Sequence, residues 1–146
     1  ASDVYKRQEY NRAIVQGIIQ TRVFAKTSDD EVMIKESAFA NRDLLQFSSY
    51  DHAYHQLIAD LITQQVYSTN LVLKGTGVKR IFVDGGFGKN TIFMHMLADA
   101  FTNVEVFAAS VAQASSLGAA LAFHKNWNTR ALPTDIIELK YYSSSK

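Results

Sequence analysis

The chain has 146 residues, 47% of them hydrophobic and 20% charged, and a formal net charge of +1 from 15 basic and 14 acidic residues. This describes a globular domain long enough to bury a core, and the interleaved charges exclude the basic footprint of a nucleic-acid or anionic-membrane binder. With no cysteine, a disulfide framework and thiolate metal sites are excluded; no apolar run approaches the roughly 20 residues of a membrane span, so a cytoplasmic setting is the default.

Residues 1–8, ASDVYKRQ, do not resemble a signal peptide and match, codon by codon, the translation of a transposon sequencing adapter. On that expectation Glu9 is the first genuine residue and the chain is a truncated fragment that lacks an N-terminal portion. Residues 9–47 form a domain segment with mixed signals: a helical stretch from Glu9 to Ile19, a short strand-like run from Thr21 to Ala25, and a polar turn at 27–31. Ser48 and Asp51 have the spacing of a capping box and open a long helix with an apolar stripe of Tyr54, Leu57, Ile58, Leu61 and Ile62. Gly75 is its natural stop. Ile81, Phe82 and Val83 read as a strand buried on both faces, followed by a glycine-rich loop. Ile92, Phe93, Met96, Leu97, Ala100 and Phe101 lie on one face of the next helix, and Val104 to Phe107 alternate as a second strand. Ser110 and Gln113 repeat the capping-box spacing before a small-residue helix, from Leu117 through Ala122 to about Lys125, packed closely on the sheet. Residues 128–146 are a tail in which Ile136, Ile137 and Leu139 can dock. Strand, helix, strand, helix argues an α/β architecture whose ligands sit beyond the carboxyl ends of the strands.

The loop in "IFVDGGFGKN", residues 81–90, lies at such an end. Glycines there let backbone N–H groups approach an anion, and a following helix adds its dipole, although the same glycines also serve a tight strand-to-helix turn with no ligand. A P-loop is rejected, because Val83 and Asn90 stand where a glycine and a Ser or Thr are required. A dinucleotide fingerprint finds Gly86 and Gly88 but Thr91 in place of the third glycine, and its acid would be Glu105, inside a strand pattern rather than at its end.

The ordered series "AYHQLIADLITQQVYSTNLVLKGTGVKRIFVDGGFGKN", "LADAF" and "AQASSLGAALA" resembles the C-terminal, nucleotide-binding half of the FGGY carbohydrate kinases over roughly residues 48–125, with a flavour of the rhamnulose- and fuculose-kinase-like group. The resemblance implies part of an actin/Hsp70/hexokinase-like (ribonuclease H-like) α/β kinase fold, with residues 48–127 as its nucleotide-binding core. It implies ATP and Mg²⁺ as cofactors and phosphoryl transfer to a sugar or polyol hydroxyl. Carried over by position, Gly85 and Gly86 are the backbone that approaches the phosphates and ribose. Asn90 contacts the adenosine end, and Gly88 belongs to the same nucleotide-binding set. Gly118 permits close approach beside the cleft or serves helix packing alone. Phe87 departs from the commoner small residue and either stacks near the base or plugs the core.

No catalytic and no metal-ligating residue is assigned within the chain. Asp84 is a tempting base or magnesium ligand, but the resemblance places the catalytic aspartate in an earlier segment. Lys89 is read as a solvated lysine of the first helical turn, and His52 and His55 as packing-helix residues without a third ligand. His95 and His124 are read as surface or helix-end residues, and Asp99 as a helix-face carboxylate. The expected partners are ATP and, through a missing N-terminal domain, a sugar or polyol, with no nucleic acid and no membrane; a homo-oligomer is admitted. The fragment alone is expected to be inactive as a kinase. Two alternatives are kept: a noncatalytic nucleotide-binding module and an NAD-dependent Rossmann oxidoreductase.

Overall fold

A computed structural model describes residues 8–21, 37–110, 114–132 and 136–144. The strand-like run past Thr21, the turn at 27–31 and the cap at Gln113 lie outside the described residues. Helix α1, Arg12–Thr21, is opened by Asn11, whose Oδ1 accepts the N–H groups of Ala13 and Ile14. Its Val15 and Ile18 are one turn apart and buried. Thr21 is its last residue and does not begin a strand.

Two 3-10 turns, Ala38–Asn41 and Leu44–Gln46, lead into the long helix α2, Tyr50–Leu73. The cap falls on Ser49, one residue after the expected Ser48. Ser49 is the residue with extended backbone, and its Oγ accepts the His52 N–H at 3.1 Å, whereas the Ser48 hydroxyl meets His52 Nδ1 at 3.2 Å. Asp51 remains in the first turn, where a negative charge suits the helix dipole. The helix ends at Leu73, and Gly75 takes a positive φ of 76°, the left-handed conformation that closes a helix at little cost for glycine.

Two internal ties hold α2 to its surroundings. Asp60 is 4% exposed and accepts both Arg42 Nε at 2.6 Å and Arg42 Nη2 at 3.0 Å, with the Gln56 amide adding a third donor at 2.8 Å. The carboxylate hydrogen bond holds the Arg42 guanidinium even more firmly protonated than usual. His55 is fully buried; Nδ1 donates to the Asp51 carbonyl at 2.7 Å, and Nε2 accepts the Asn11 N–H at 3.1 Å. The ring is thereby fixed as the neutral Nδ1–H tautomer, and it pins the start of α1 onto α2.

Strand β1, Arg80–Val83, pairs in parallel with β2, Glu105–Ser110, in the register Ile81 to Val106 and Val83 to Ala108. Between them run a one-turn helix α3, Gly85–Gly88, and helix α4, Thr91–Ala100. Helix α4 is more deeply buried than a single stripe predicts: Ile92, Phe93, Met94, Met96, Leu97 and Ala98 are all inside, wedged between α2 and the sheet. A third strand, β3, Glu138–Tyr142, adds antiparallel to the far edge of β2. The tail therefore docks by backbone pairing and through the buried Tyr142, while Ile137 and Leu139 stay about half exposed.

β1 is covered on one face only. Ile81 and Val83 turn toward the core, while Phe82 points outward and stacks on its register partner Phe107, which in turn meets Tyr141 on β3. The three rings form a row across the outer face, so part of the apolar surface expected to be buried is shielded ring against ring.

Ser110 is the last residue of β2, paired to Glu138, and the residues between it and the next helix lie outside the described residues. Three further expectations are corrected. The small-residue helix α5, Ala114–Ala122, does not pack on the sheet: Gly118, Ala119, Ala120 and Ala122 are exposed, and the helix leans on the short α6, His124–Trp127. The expected run to Lys125 is broken at Phe123, which starts the new turn. His95 lies inside α4, half-buried between Tyr10 and Tyr142, and is neither a surface nor a helix-end histidine, whereas His124 is at a helix end, as the first residue of α6, but is buried edge-on to Trp127.

Candidate functional site

At the carboxyl end of β1 the chain turns on Asp84. Its backbone is extended, and its Oδ1 accepts the N–H of the next residue, Gly85, at 2.7 Å. Gly85 has a φ of +75°, a conformation that costs an L side chain roughly 1–2 kcal/mol. One helical turn later, Lys89 donates its N–H to the carbonyls of Gly86 and Phe87. Asn90 then caps α4: its Oδ1 accepts the Phe93 N–H at 3.1 Å, and its Nδ2 donates to the Tyr54 hydroxyl at 2.9 Å. The loop is thus tied to both α4 and α2.

The three glycines serve different ends. Gly85 supplies the left-handed turn and Gly86 lies open, with nothing within 4 Å of where a Cβ would stand at either position. Gly88 faces inward, and a Cβ there would come within 2.7 Å of the Val83 carbonyl oxygen. Gly88 therefore lets the turn lie against β1, while Gly85 and Gly86 present exposed backbone to the outside. The Gly85 N–H is already bonded to Asp84, so an anion at the loop would meet the N–H groups that follow it.

Phe87 is 50% exposed, its ring tilted by 36° at 4.6 Å from that of the buried Phe93. These two rings, with Leu61, Gln64, Gln65 and Ser68 of α2, line a cavity of about 220 Å³ beside the loop. The α2 members recur at helical spacing and so share one face, but without knowledge that this face meets the loop their sequence pattern is silent. Asn90 spends one amide hydrogen and one lone pair on Phe93 and Tyr54, and each end of its amide has one more to give.

Gly118 on α5 is exposed and has nothing within 4 Å of its Cβ position among the described residues, the loop included. Gly85, Gly86, Phe87, Gly88 and Asn90 share the loop, and none of them lies within 4 Å of the Gly118 Cβ position. Glu105 is at the amino end of β2, opposite Arg80, and pairs with its Nε at 2.8 Å. The loop lies at the other end of these parallel strands, so Glu105 is at the wrong end to read a ribose held there, and the dinucleotide reading loses its acid. His52 and His55 are spent on hydrogen bonds to Ser48, Asp51 and Asn11. Among the described residues no group of three His, Asp or Glu side chains could hold a metal ion.

A second cavity, of about 490 Å³, opens between α1, α2 and α4; its walls include Val15, Ile62, Val66 and Met96, with Asn70 and Asp99 among the polar residues. No helix among the described residues is long and apolar enough to cross a membrane.

Comparison with known proteins gives one family. The model for the FGGY family of carbohydrate kinases, C-terminal domain, matches residues 46–125, which include α2, the glycine loop, α4, β2 and α5. No curated protein matches the chain, and no solved structure does. The matched family has the actin/hexokinase-like kinase fold, with which the mixed α/β sheet and its flanking helices agree. More than half of the chain lies within the match, and the chain belongs to the FGGY family of carbohydrate kinases, of which residues 46–125 form the C-terminal domain.

Proposed function

We propose that this chain holds the nucleotide in an ATP-dependent transfer of the γ-phosphoryl group to a sugar or polyol hydroxyl. The observation that carries the proposal is the open Gly85–Gly86 backbone at the carboxyl end of β1, inside the region that matches the kinase family. Exposed backbone with no side chain in front of it lets phosphate oxygens approach the N–H groups beyond Gly85. Gly88 and Asn90 act from behind, the first by seating the turn on β1 and the second by fixing the start of α4. The remaining amide capacity of Asn90 is directed to the adenosine end; Gly118, exposed with open space where a Cβ would stand, is given no packing role.

In the reaction, the acceptor oxygen forms a bond to the γ-phosphorus as the bond to the β,γ-bridging oxygen breaks, ADP leaves, and the hydroxyl proton passes to a base. Mg²⁺, when bound with the nucleotide, supplies charge neutralisation. Asp84 is a poor candidate for the base because its carboxylate already accepts the Gly85 N–H and shapes the turn. Sugar recognition and the base are assigned to the other domain that a kinase with a C-terminal domain of this family carries. Accordingly, the 146-residue chain is expected to bind nucleotide without phosphorylating sugar.

Calorimetric titration of the chain with ATP and with NAD, both with Mg²⁺, tests the assignment. Saturable ATP binding that disappears in Gly86→Asp is expected, because a carboxylate placed in the open position repels the phosphates. Unchanged ATP binding in that variant, or NAD binding in preference to ATP, overturns it.

A further inference from the structure

The sheet ends at β3, whose second edge pairs with no strand among the described residues. Its side chains sort by alternation. Glu138, Lys140 and Tyr142 lie on the inner face, where Tyr142 is buried and the Lys140 ammonium sits 4.9 Å from the Tyr142 ring centroid. Leu139 and Tyr141 lie on the outer face and are about half exposed, and Tyr141 is the last ring of the row that begins at Phe82. Ile137, next in the alternation just before the strand, is similarly exposed. Within the sheet, Glu138 and Lys140 stand opposite Ser110 and Ala108, so neither meets a charge across the β2 ladder. An open edge with apolar side chains on one face is a template for another strand.

A second copy of this chain fits that edge in one register. Two antiparallel strands related by a twofold axis normal to the sheet keep each face on its own side, so a single residue of each stands on the axis. With Lys140 on the axis two ammonium groups face each other, and with Glu138 there two carboxylates do; both arrangements are destabilising. With Tyr141 on the axis, Lys140 faces Tyr142 and neither charge meets its opposite. With Leu139 on the axis, Glu138 of each copy faces Lys140 of the other, twice over by symmetry. The outer face matches at the same time: Leu139 meets Leu139 and Tyr141 meets Ile137, which carries the ring row across the axis. The other edge of the sheet offers no such pattern, because the one charged residue of β1, Arg80, is already paired with Glu105.

We infer that the chain forms a twofold dimer through β3, with Leu139 on the axis, that joins two three-stranded sheets into one. The contact is at the sheet edge away from β1 and its glycine loop, so it stands or falls independently of nucleotide binding. A ladder of 5 residues a side is far shorter than the roughly 20–30 residues of a lasting complex, so the dimer is weak and reversible.

Sedimentation velocity of the 146-residue chain between about 5 and 500 µM is expected to show a monomer–dimer equilibrium, the range suited to a small interface. Lys140→Glu and Glu138→Lys each set like charges opposite one another at both symmetry-related pairs, and each is expected to weaken the dimer at least about fivefold. The deciding sample is an equimolar mixture of the two single variants. One chain then carries two acids and the other two bases at these positions, opposite charges face each other again, and association is expected to return to within about threefold of the parent chain. Thermal melting at the lowest concentration confirms that each variant is folded. A chain that stays monomeric over the whole range overturns the inference. So does a dimer that neither reversal weakens, which places the contact elsewhere, and so does a mixture that associates no more tightly than its two components.

Discussion

Replacing Gly88 by alanine tests the claim that the loop is held against β1 by the absence of a side chain. A Cβ at position 88 would sit 2.7 Å from the Val83 carbonyl oxygen, whereas ordinary van der Waals contact begins at 3.4 Å, so turn and strand must separate by 3.4 − 2.7, about 0.7 Å. Val83 cannot swing aside cheaply, because β1 is paired to β2 in register and Val83 packs on the core. Overpacking of this kind costs about 1–3 kcal/mol, and a backbone obstacle belongs in the upper half of that range. For a chain of this size the cost lowers Tm by roughly 5–10 °C. Gly86→Ala is the matched control: its Cβ position is open and its φ is not positive, so the variant keeps or slightly raises stability. Gly85→Ala falls between them, losing about 1 kcal/mol to its left-handed backbone although nothing crowds the site. Differential scanning fluorimetry reads the order directly. Melting of Gly88→Ala within about 1 °C of the parent chain, or above Gly85→Ala, refutes the close-approach argument.

Arg42→Met leaves the buried Asp60 carboxylate with only the Gln56 amide; because Arg42 is itself 39% exposed, the loss is expected at about 2 kcal/mol in urea denaturation rather than the full cost of breaking a buried pair. The double variant Arg42→Met with Asp60→Leu should recover most of it. His55→Phe removes the acceptor of the Asn11 N–H and should cost about 1–3 kcal/mol, with faster hydrogen exchange at the Asn11 amide as its local signature. His95 titrates below its ordinary value because burial disfavours its charge, with Asp99 opposing the shift and Lys140 adding to it; Tyr10 and Tyr142 are its ring contacts. The unfolded chain then binds the extra proton first, so stability should fall as pH drops below about 6.5, and His95→Phe should flatten the dependence of the urea midpoint between about pH 5 and 7.

The elements that periodicity specifies well were legible. Tyr54, Ile58, Leu61 and Ile62 recur at helical spacing because one face of α2 is buried, and Gly75 stops the helix because only a left-handed residue closes it there. The glycine loop was legible as a turn at a strand end for the same local reason. Its internal division of labour was not: Gly86 and Gly88 are identical letters, and only the position of the Val83 carbonyl makes one obligatory and the other open. Spacing alone does not separate Ser48 from Ser49 as the α2 cap, because the two are chemically equivalent and backbone conformation decides between them.

Where the structure departs from the sequence pattern, an apolar residue states a need for contact without naming the partner. Phe82 was expected inside because Ile81-Phe82-Val83 is uniformly apolar, yet its contact is a neighbouring ring, Phe107, on the outer face. Ile137 and Leu139 suggested that the tail docks through aliphatic side chains. The structure docks it by the β2–β3 ladder, whose backbone hydrogen bonds carry no side-chain signature, with Tyr142 inside. The same logic governs the candidate site. Gln64 and Ser68 are unremarkable polar residues on a helix until the one-turn helix after β1 swings Phe87 opposite them. A site assembled from one loop is visible in a short stretch of sequence; a site assembled across α2 and that loop exists only through the packing that Asn90 fixes by joining Tyr54 on one side to α4 on the other. Cutting that link with Asn90→Ala should therefore lower the melting temperature and the ATP affinity together, whereas a change confined to the open backbone of Gly86 should lower ATP affinity with the melting temperature unchanged.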